Sequence, residues 1–504
     1  MKRIFTIIIL LSSLLFNAGC KKWLDVTPQG QATQEELFKT EKGFKDALTG
    51  AYIRMKDGNI YGGSLMWGTI EYMACNWDAS SSNTVIPQLK AGNYNDANVR
   101  TGFDNTYQTL FKVIADVNSI LEKIEDKKPV FTASNYEIVK GESLALRAFC
   151  HFDALRFYGP MPTNPGAALI LPYVKEVNKD IHPLLPYQEF IQNILADLDQ
   201  AEALLRDIDP IRKYTIAELN PGTAVGTIPA QSDNYLQYRQ VRMNYYAILA
   251  LKARVYLWLA AMDSANKINA TKYAKMVIDA MSPNGATTFR LGVESDRASQ
   301  DYTMSPEHIM ALSVYNLETI ATNTFGQNGS VMKYDFSPFY YLTVLFPANE
   351  SVSDIRFKDM WIPKSPIGTA TSNDIMYRKF IQKAGALPES QVLQVPLLRL
   401  SEMYLIMTEC AETKAAAEAV YTIYCASKGI PFISFNSADW LTDRRNKMVR
   451  EYVREFYGEG QSFFCFKRLG VTTLPASWTA TYYTGTPAKY VVPKPLREIN
   501  YNNN

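Results

Sequence analysis

Histidine is scarce: His151, His182 and His308 are the only three in 504 residues. They share no metal-ligand spacing, and no HExxH occurs, so the familiar zinc-hydrolase helix is excluded. Gly-x-Ser-x-Gly, the P-loop and Gly-x-Gly-x-x-Gly are missing too, which removes the usual signatures of serine hydrolases, NTPases and dinucleotide enzymes. Of six cysteines, Cys75, Cys150, Cys410, Cys425 and Cys465 are scattered and form no CxxC pair. That pattern is neither a disulfide framework nor a zinc site, and buried free thiols are expected. No sign of charge is in excess: 52 Lys plus Arg face 50 Asp plus Glu, for a net +2. A nucleic-acid binder driven by phosphate contacts is therefore not indicated. No cofactor is expected and no metal motif is present, while an oxygen-ligated structural Ca2+ needs no fixed motif outside the EF-hand.

What is present is a globular composition, with 47% hydrophobic and 20% charged residues, enough to bury a core. Aromatics reach 12%, with 31 Tyr, whose flat apolar face and polar tip suit polar ligands. The first residues read as a signal peptide: Lys2 and Arg3, an apolar run from Ile4 to Phe16, then Asn17-Ala18-Gly19-Cys20. That run is short of the roughly 20 residues a spanning helix needs, and no later segment is apolar enough to span. The Cys after Ala-Gly resembles the lipobox of bacterial lipoproteins, with Asn17 where Leu is usual, and implies lipidation at Cys20. The expected division is residues 1–19 as signal, 20–32 as lipidated tether and 33–504 as a single domain.

Apolar periodicity then predicts helices. Thr33 to Met55 has Leu37, Phe38, Phe44, Leu48, Tyr52 and Met55 near one face, with Thr33 and Glu36 as a capping box. Phe103, Tyr107, Leu110, Ile114, Val117, Leu121 and Ile124 recur at four- and three-residue spacings. Asn135 to Phe157 is a second such segment, stopped by Gly159-Pro160. Ile191 to Leu205, Leu236 to Met262, Thr271 to Met281, Leu397 to Glu412, Lys414 to Ser427 and Asp439 to Tyr457 follow. Ala247, Ala250, Ala253 and Tyr256, then Tyr273, Ala274, Val277 and Ala280, resemble a tetratricopeptide repeat. Between these lie irregular stretches, 58–98 and 285–395, rich in Gly, Asn, Pro and aromatics. His151 sits in a helical pattern beside Phe149 and Phe152, as a satisfied core histidine does. The chain carries abundant acids, so a two-carboxylate glycosidase is the runner-up class.

Six segments in order resemble the SusD/RagB family of Bacteroidetes nutrient-binding outer-membrane lipoproteins. They are Trp23-Leu24-Asp25-Val26-Thr27-Pro28 after the lipobox, and Gly141 to Phe149 running on to Tyr158-Gly159. Next come Asp354-Ile355-Arg356-Phe357 and Pro396 to Leu405. The last two are Arg450-Glu451 through Lys467-Arg468-Leu469-Gly470, and Val492 to Asn500. Cys465 stands where the family usually has Asp. Glu142, Arg147, Asp354, Arg356, Arg399 and Glu402 read as scaffold charges, with Arg399 and Glu402 close enough on a helix to pair.

The resemblance implies a mainly α fold: about four tetratricopeptide-like helix pairs near 100–160, 187–284 and 397–470, with few short strands. An irregular ligand region would come from 58–98 and 285–395. It implies no catalysis, but capture of an oligosaccharide at the cell exterior and delivery to a SusC-like TonB-dependent barrel. A peptide or glycopeptide ligand fits the same loops. Aromatic faces accept the C–H face of a sugar, and Asp and Asn bond its hydroxyls. On that chemistry the expected ligand residues are Asn76, Trp77, Asp78, Tyr94, Asn95, Trp67, Tyr334 and Trp361.

Overall fold

The computed structural model describes residues 34–78, 83–220, 235–326, 329–330, 345–363, 375–381, 393–475 and 482–498. The lipobox, Cys20 and Tyr334 lie outside these residues. Ten helices carry the framework: α1 (Glu41–Met55), α2 (Ala97–Ile124), α3 (Asn135–Tyr158), α4 (Tyr187–Leu205), α5 (Tyr245–Leu259), α6 (Asn266–Ile278), α7 (Leu400–Cys410), α8 (Lys414–Lys428), α9 (Trp440–Glu455) and α10 (Gln461–Leu469). Neighbours in sequence are neighbours in space: α2 packs on α3, α3 on α4, α5 on α6, α6 on α7 and α7 on α8. This is the stacking of helical repeats, in which each helix buries its apolar stripe against the next. Strands are short and paired in twos. They include β1 (Leu169–Pro172) with β2 (Leu184–Pro186), β3 (His308–Ser313) with β6 (Gln394–Arg399), and β4 (Trp361–Pro363) with β5 (Ile375–Tyr377), all antiparallel.

Helix α2 starts where Asp96 accepts hydrogen bonds from the Asn98 and Val99 amides at 2.9 and 3.1 Å, an N-cap that satisfies two orphan donors. Gly141 on α3 allows α4 to approach: a Cβ there would stand 1.9 Å from Leu205 Cδ1. Tyr256 and Tyr273 stack between α5 and α6, centroids 5.7 Å apart and planes 7° apart.

Among the boundaries that differ from the sequence reading, three have a visible cause. The first helix is broken in two, Gln34–Leu37 and α1, because Thr40 turns extended and accepts from the Gly43 amide at 3.2 Å. The segment from Leu236 is helical only from Tyr245, where Asn244 caps α5; before it Arg239–Val241 forms a 3-10 turn. Leu397 to Arg399 belongs to β6, and the helix begins at Leu400.

Buried ion pairs clamp the repeats together. Arg239, fully enclosed, joins Glu142 at 2.5 Å and Asp209 at 2.9 Å. Tyr52 donates to Glu142 at 2.7 Å and accepts from the Met243 amide at 2.8 Å. Arg147 binds Asp197 through two 2.7 Å bonds, tying α3 to α4. Arg254 binds Glu402 at 2.7 and 2.6 Å, tying α5 to α7. Arg399 and Glu402 therefore do not pair with each other. Arg399 has extended backbone (φ −128°, ψ 152°) and ends a strand, so its side chain leaves the helix face that Glu402 occupies. It reaches Glu455 at 2.6 Å, Glu459 at 2.9 Å and Glu307 at 3.1 Å. Asp354 and Arg356 do pair, at 2.9 and 2.7 Å, and Arg356 adds Glu451 at 2.6 Å. The five described cysteines are buried thiols.

Candidate functional site

Trp67, Trp77 and Trp361, far apart in sequence, meet in one aromatic cluster. Trp77 lies edge-on to Tyr457 at 4.8 Å and contacts Phe325, Tyr377 and Trp361 at 5.7, 6.0 and 6.2 Å. Trp361 packs on Tyr377 at 4.3 Å and edge-on to Tyr457 at 4.8 Å. Trp67 completes the group against Phe380 at 5.3 Å and Phe325 at 5.9 Å. The rings come from the irregular 65–78 segment, the end of the helix Leu317–Phe325, the β4–β5 hairpin and the turn after α9. Tilted and edge-on contacts at these distances stabilise a core beyond area burial alone.

A buried acid sets the 71–78 segment. Glu71 accepts from Asn76 Nδ2 at 2.6 Å and from the Gly460 amide at 3.0 Å. Gly460 adopts φ +71°, and a Cβ there would meet the Leu65 carbonyl oxygen at 2.0 Å, so only glycine fits. Burial pushes the Glu71 carboxyl up to about 7, against the lowering effect of Asn76 and of the Gly458 and Gly460 amides. Tyr457 donates its hydroxyl to the Asn76 carbonyl. Lys90 donates to the Trp77 carbonyl at 3.0 Å and stands 3.6 Å from Asp78.

These contacts enclose Asn76-Trp77-Asp78, which the sequence reading offers as ligand residues. All three are buried, Trp77 to 1% exposure, and a stacked sugar needs an open ring face. The tripeptide builds the cluster's floor. Trp67 and Trp361 are also buried, at 6% and 8%. Tyr94 lies elsewhere: its hydroxyl donates to the Lys489 carbonyl at 2.6 Å and its ring packs edge-on against Phe103. Asn95 is exposed in the turn before α2. The indole N–H groups of Trp77 and Trp361 are buried, and among the described residues neither has an acceptor. An unmet buried donor costs about 1–3 kcal/mol, which marks this spot apart from ordinary core.

Below the cluster lies a dense charge network. Lys428 meets Glu307 at 2.6 Å, Lys379 pairs with Glu459, and Arg399 bridges Glu307, Glu455 and Glu459. Burial alone would raise Glu455, but Lys428, Arg399 and Arg356 around it hold it well below the usual carboxylate range. These acids are consumed by structural pairing. His308 is buried between Gln394 at 2.6 Å and the Thr303 carbonyl at 3.0 Å. His151 stacks on Tyr173 at 3.9 Å, with its ring nitrogens 2.9 Å from the Arg147 carbonyl and 3.0 Å from the Val174 amide. Burial lowers its pKa to about 3, the state of a neutral core histidine. Among the described residues no group of three or more His, Cys, Asp or Glu could hold a metal ion.

A large open cavity among the described residues was not foreseen. It measures about 760 Å³ and runs beside α2, walled by Tyr107, Phe111, Val174 and Ile181. Tyr107 had been counted with the apolar stripe of α2; the Tyr107–Phe111 spacing of four was the available signal.

A mainly helical repeat scaffold with an irregular, aromatic-rich side defines the class. Residues 22–216 match the family model SusD-like_3, described as "Starch-binding associating with outer membrane". A SusD-like protein of Formosa agariphila is 25% identical over 264 residues, covering 52% of this chain and 43% of that one. A second from the same organism is 22% identical over 207 residues, covering 39% and 37%. The matched stretch thus spans under half the length of these relatives. A SusD superfamily structure from Bacteroides thetaiotaomicron superposes with TM-score 0.66 at 18% identity, over 92% of this chain and 98% of that one. A SusD-like carbohydrate binding protein from Bacteroides vulgatus gives TM-score 0.65 at 17% identity, over 92% and 97%. By sequence over residues 22–216 the chain is similar to the SusD-like family, and over nearly its whole length it shares the fold of the SusD superfamily structures. No described helix is long and apolar enough to cross a membrane.

Proposed function

We propose that this protein is a non-catalytic, lipid-anchored binder on the outer face of the outer membrane. It captures an oligosaccharide and passes it to a SusC-like TonB-dependent barrel. The observation that carries this reading is the match of residues 22–216 to a starch-binding, outer-membrane-associated family. Cys20 supplies the anchor; several acyl chains hold stably where one is marginal.

The ligand region is the irregular side that the aromatic cluster supports. Trp77 and Trp361, buried with unmet N–H donors, and Trp67 beside them meet a sugar when the cluster opens. Asn76 and Asp78 support the floor, Tyr94 and Asn95 lie apart from it, and Tyr334 stays an expected contact outside the described residues. The test is calorimetry of the purified chain against neutral oligosaccharides, starting with α-1,4-glucans. Trp361→Phe keeps a ring and deletes the N–H, so binding weakens about tenfold, equivalent to roughly 1.4 kcal/mol, with the melting temperature held. Release of new reducing ends by the pure protein would replace the binder with a hydrolase.

A further inference from the structure

The geometry points to a second carbohydrate-binding site on this chain, in the cleft along α2, distinct from the aromatic cluster. The inference rests on the carbohydrate reading above. The cleft begins with helix periodicity. Tyr107 and Phe111, four apart on α2, stack with centroids 4.4 Å apart and planes 23° apart. Asp104, Gln108 and Lys112 form a parallel polar row with the same spacing, about 12 Å long at about 1.5 Å rise per residue. Tyr107, buried to 6% exposure, backs Phe111, whose half-buried ring is the aromatic face beside the polar row, as the two faces of a sugar chain require.

Two other segments raise the walls. The 172–182 stretch stands on one side, with Ile181 exposed at the rim. The chain's last described residues stand on the other. They are pinned there by Arg100 to the Lys494 carbonyl at 3.3 Å and by Lys494 to the Ile170 carbonyl at 2.8 Å. The cavity of about 760 Å³ meets a second of about 640 Å³ through Tyr107, Gln108 and Glu498. Clefts of roughly 300–1,000 Å³ take ligands of drug-like size, which includes short oligosaccharides.

The charge of the lining selects the ligand class. Lys112, Lys179 and Arg497 face Asp104, Asp180 and Glu498. Equal signs create no field that would favour a phosphate or a polycation. Mixed donors and acceptors around an aromatic floor suit a neutral polyol. Asp104 Oδ1 is buried at the cleft edge without a partner among the described residues, and a hydroxyl donor would satisfy it. Phe111 is half-buried, and its ring also meets His151 at 5.8 Å, so the floor is rigid. A rigid floor lowers the ordering cost of binding.

The experiment is calorimetry of the full chain with a panel of neutral hexasaccharides, α-1,4-glucan, β-1,3-glucan and β-1,4-mannan. Wild type is expected to bind two ligands per chain. Phe111→Ala removes the floor. Ile181→Trp fills the rim from an exposed position and spares the core, so it stays informative if Phe111→Ala fails to fold. Each is expected to reduce the stoichiometry from two to one and leave the remaining affinity unchanged. Trp361→Phe weakens only the other site. If both cleft variants bind like wild type, the second site is refuted and the carbohydrate reading stands. If wild type binds none of the panel, the carbohydrate reading itself falls. If Ile181→Trp abolishes co-purification with an outer-membrane barrel and leaves glycan stoichiometry intact, the cleft is a protein-docking surface and the inference is overturned.

Discussion

Replacing Glu71 by Gln should make the protein more stable at neutral and alkaline pH, and progressively less so towards acid. Glu71 is fully buried, and its carboxyl is pushed from 4.5 up to about 7 by burial. That difference corresponds to roughly 3 kcal/mol between the protonation states. The sign follows from proton linkage. Between about pH 4.5 and 7 the folded protein keeps a proton that the unfolded chain has lost. Stability therefore falls as pH rises through this window, and above pH 7 the folded state bears the full cost of a buried carboxylate. Gln mimics the protonated acid. Its Oε1 takes the Gly460 amide, and its Nε2 faces Asn76, whose amide turns to offer oxygen. The assay is urea unfolding of wild type and Glu71→Gln at pH 5, 6, 7 and 8. The other titrations are common to both chains and cancel in the difference. The variant's advantage should grow with pH by up to roughly 3 kcal/mol between pH 5 and pH 8. A gap that does not change with pH would refute the assignment of a neutral-range carboxyl beneath the aromatic cluster.

Other consequences are as specific. Arg239→Met strands Glu142 and Asp209 in a dry interior and should cost about 3–5 kcal/mol in chemical unfolding; a loss below 1 kcal/mol would mean water reaches the site. Gly141→Ala drives a methyl into Leu205 and should cost about 1–3 kcal/mol by overpacking, with Leu205→Val restoring part of it. An unrelieved double variant would place the strain elsewhere. His151, buried neutral with its pKa lowered to about 3, should show no imidazole titration by NMR from pH 8 to 5. Its folded pKa is depressed, so the stability it contributes is complete above about pH 6.5 and drains away as pH falls towards 3.

Much of the framework was legible because periodicity is local. The α3 helix runs from Asn135 to Tyr158, within one residue of its reading, since the apolar positions and Gly159-Pro160 are all in view along the chain. What failed was non-local. Arg399 and Glu402 lie three apart, yet β3, some ninety residues upstream, draws Arg399 into a strand and away from its neighbour. Asn76-Trp77-Asp78 has the composition of a sugar-binding loop, but Glu71, Lys90 and Tyr457 turn it inward. Composition names the chemistry a segment could perform; the partners that enclose it decide whether it performs it. The α2 cleft was missed for the converse reason. Its walls come from residues 172–182 and 495–498, and only folding brings them to Tyr107.

Residues 489–494 tie themselves to the start of α2 and to β1. Tyr94 reaches Lys489, Arg100 reaches Lys494, and Lys494 reaches back to Ile170. A chain emerging N-terminus first therefore presents the α2–α3 hairpin without this cover until residues 489–494 arrive. From Tyr158 to Lys489 is about 330 residues, roughly 15–65 s at about 5–20 residues per second. The early hairpin waits half-finished for that time, a natural client for a chaperone.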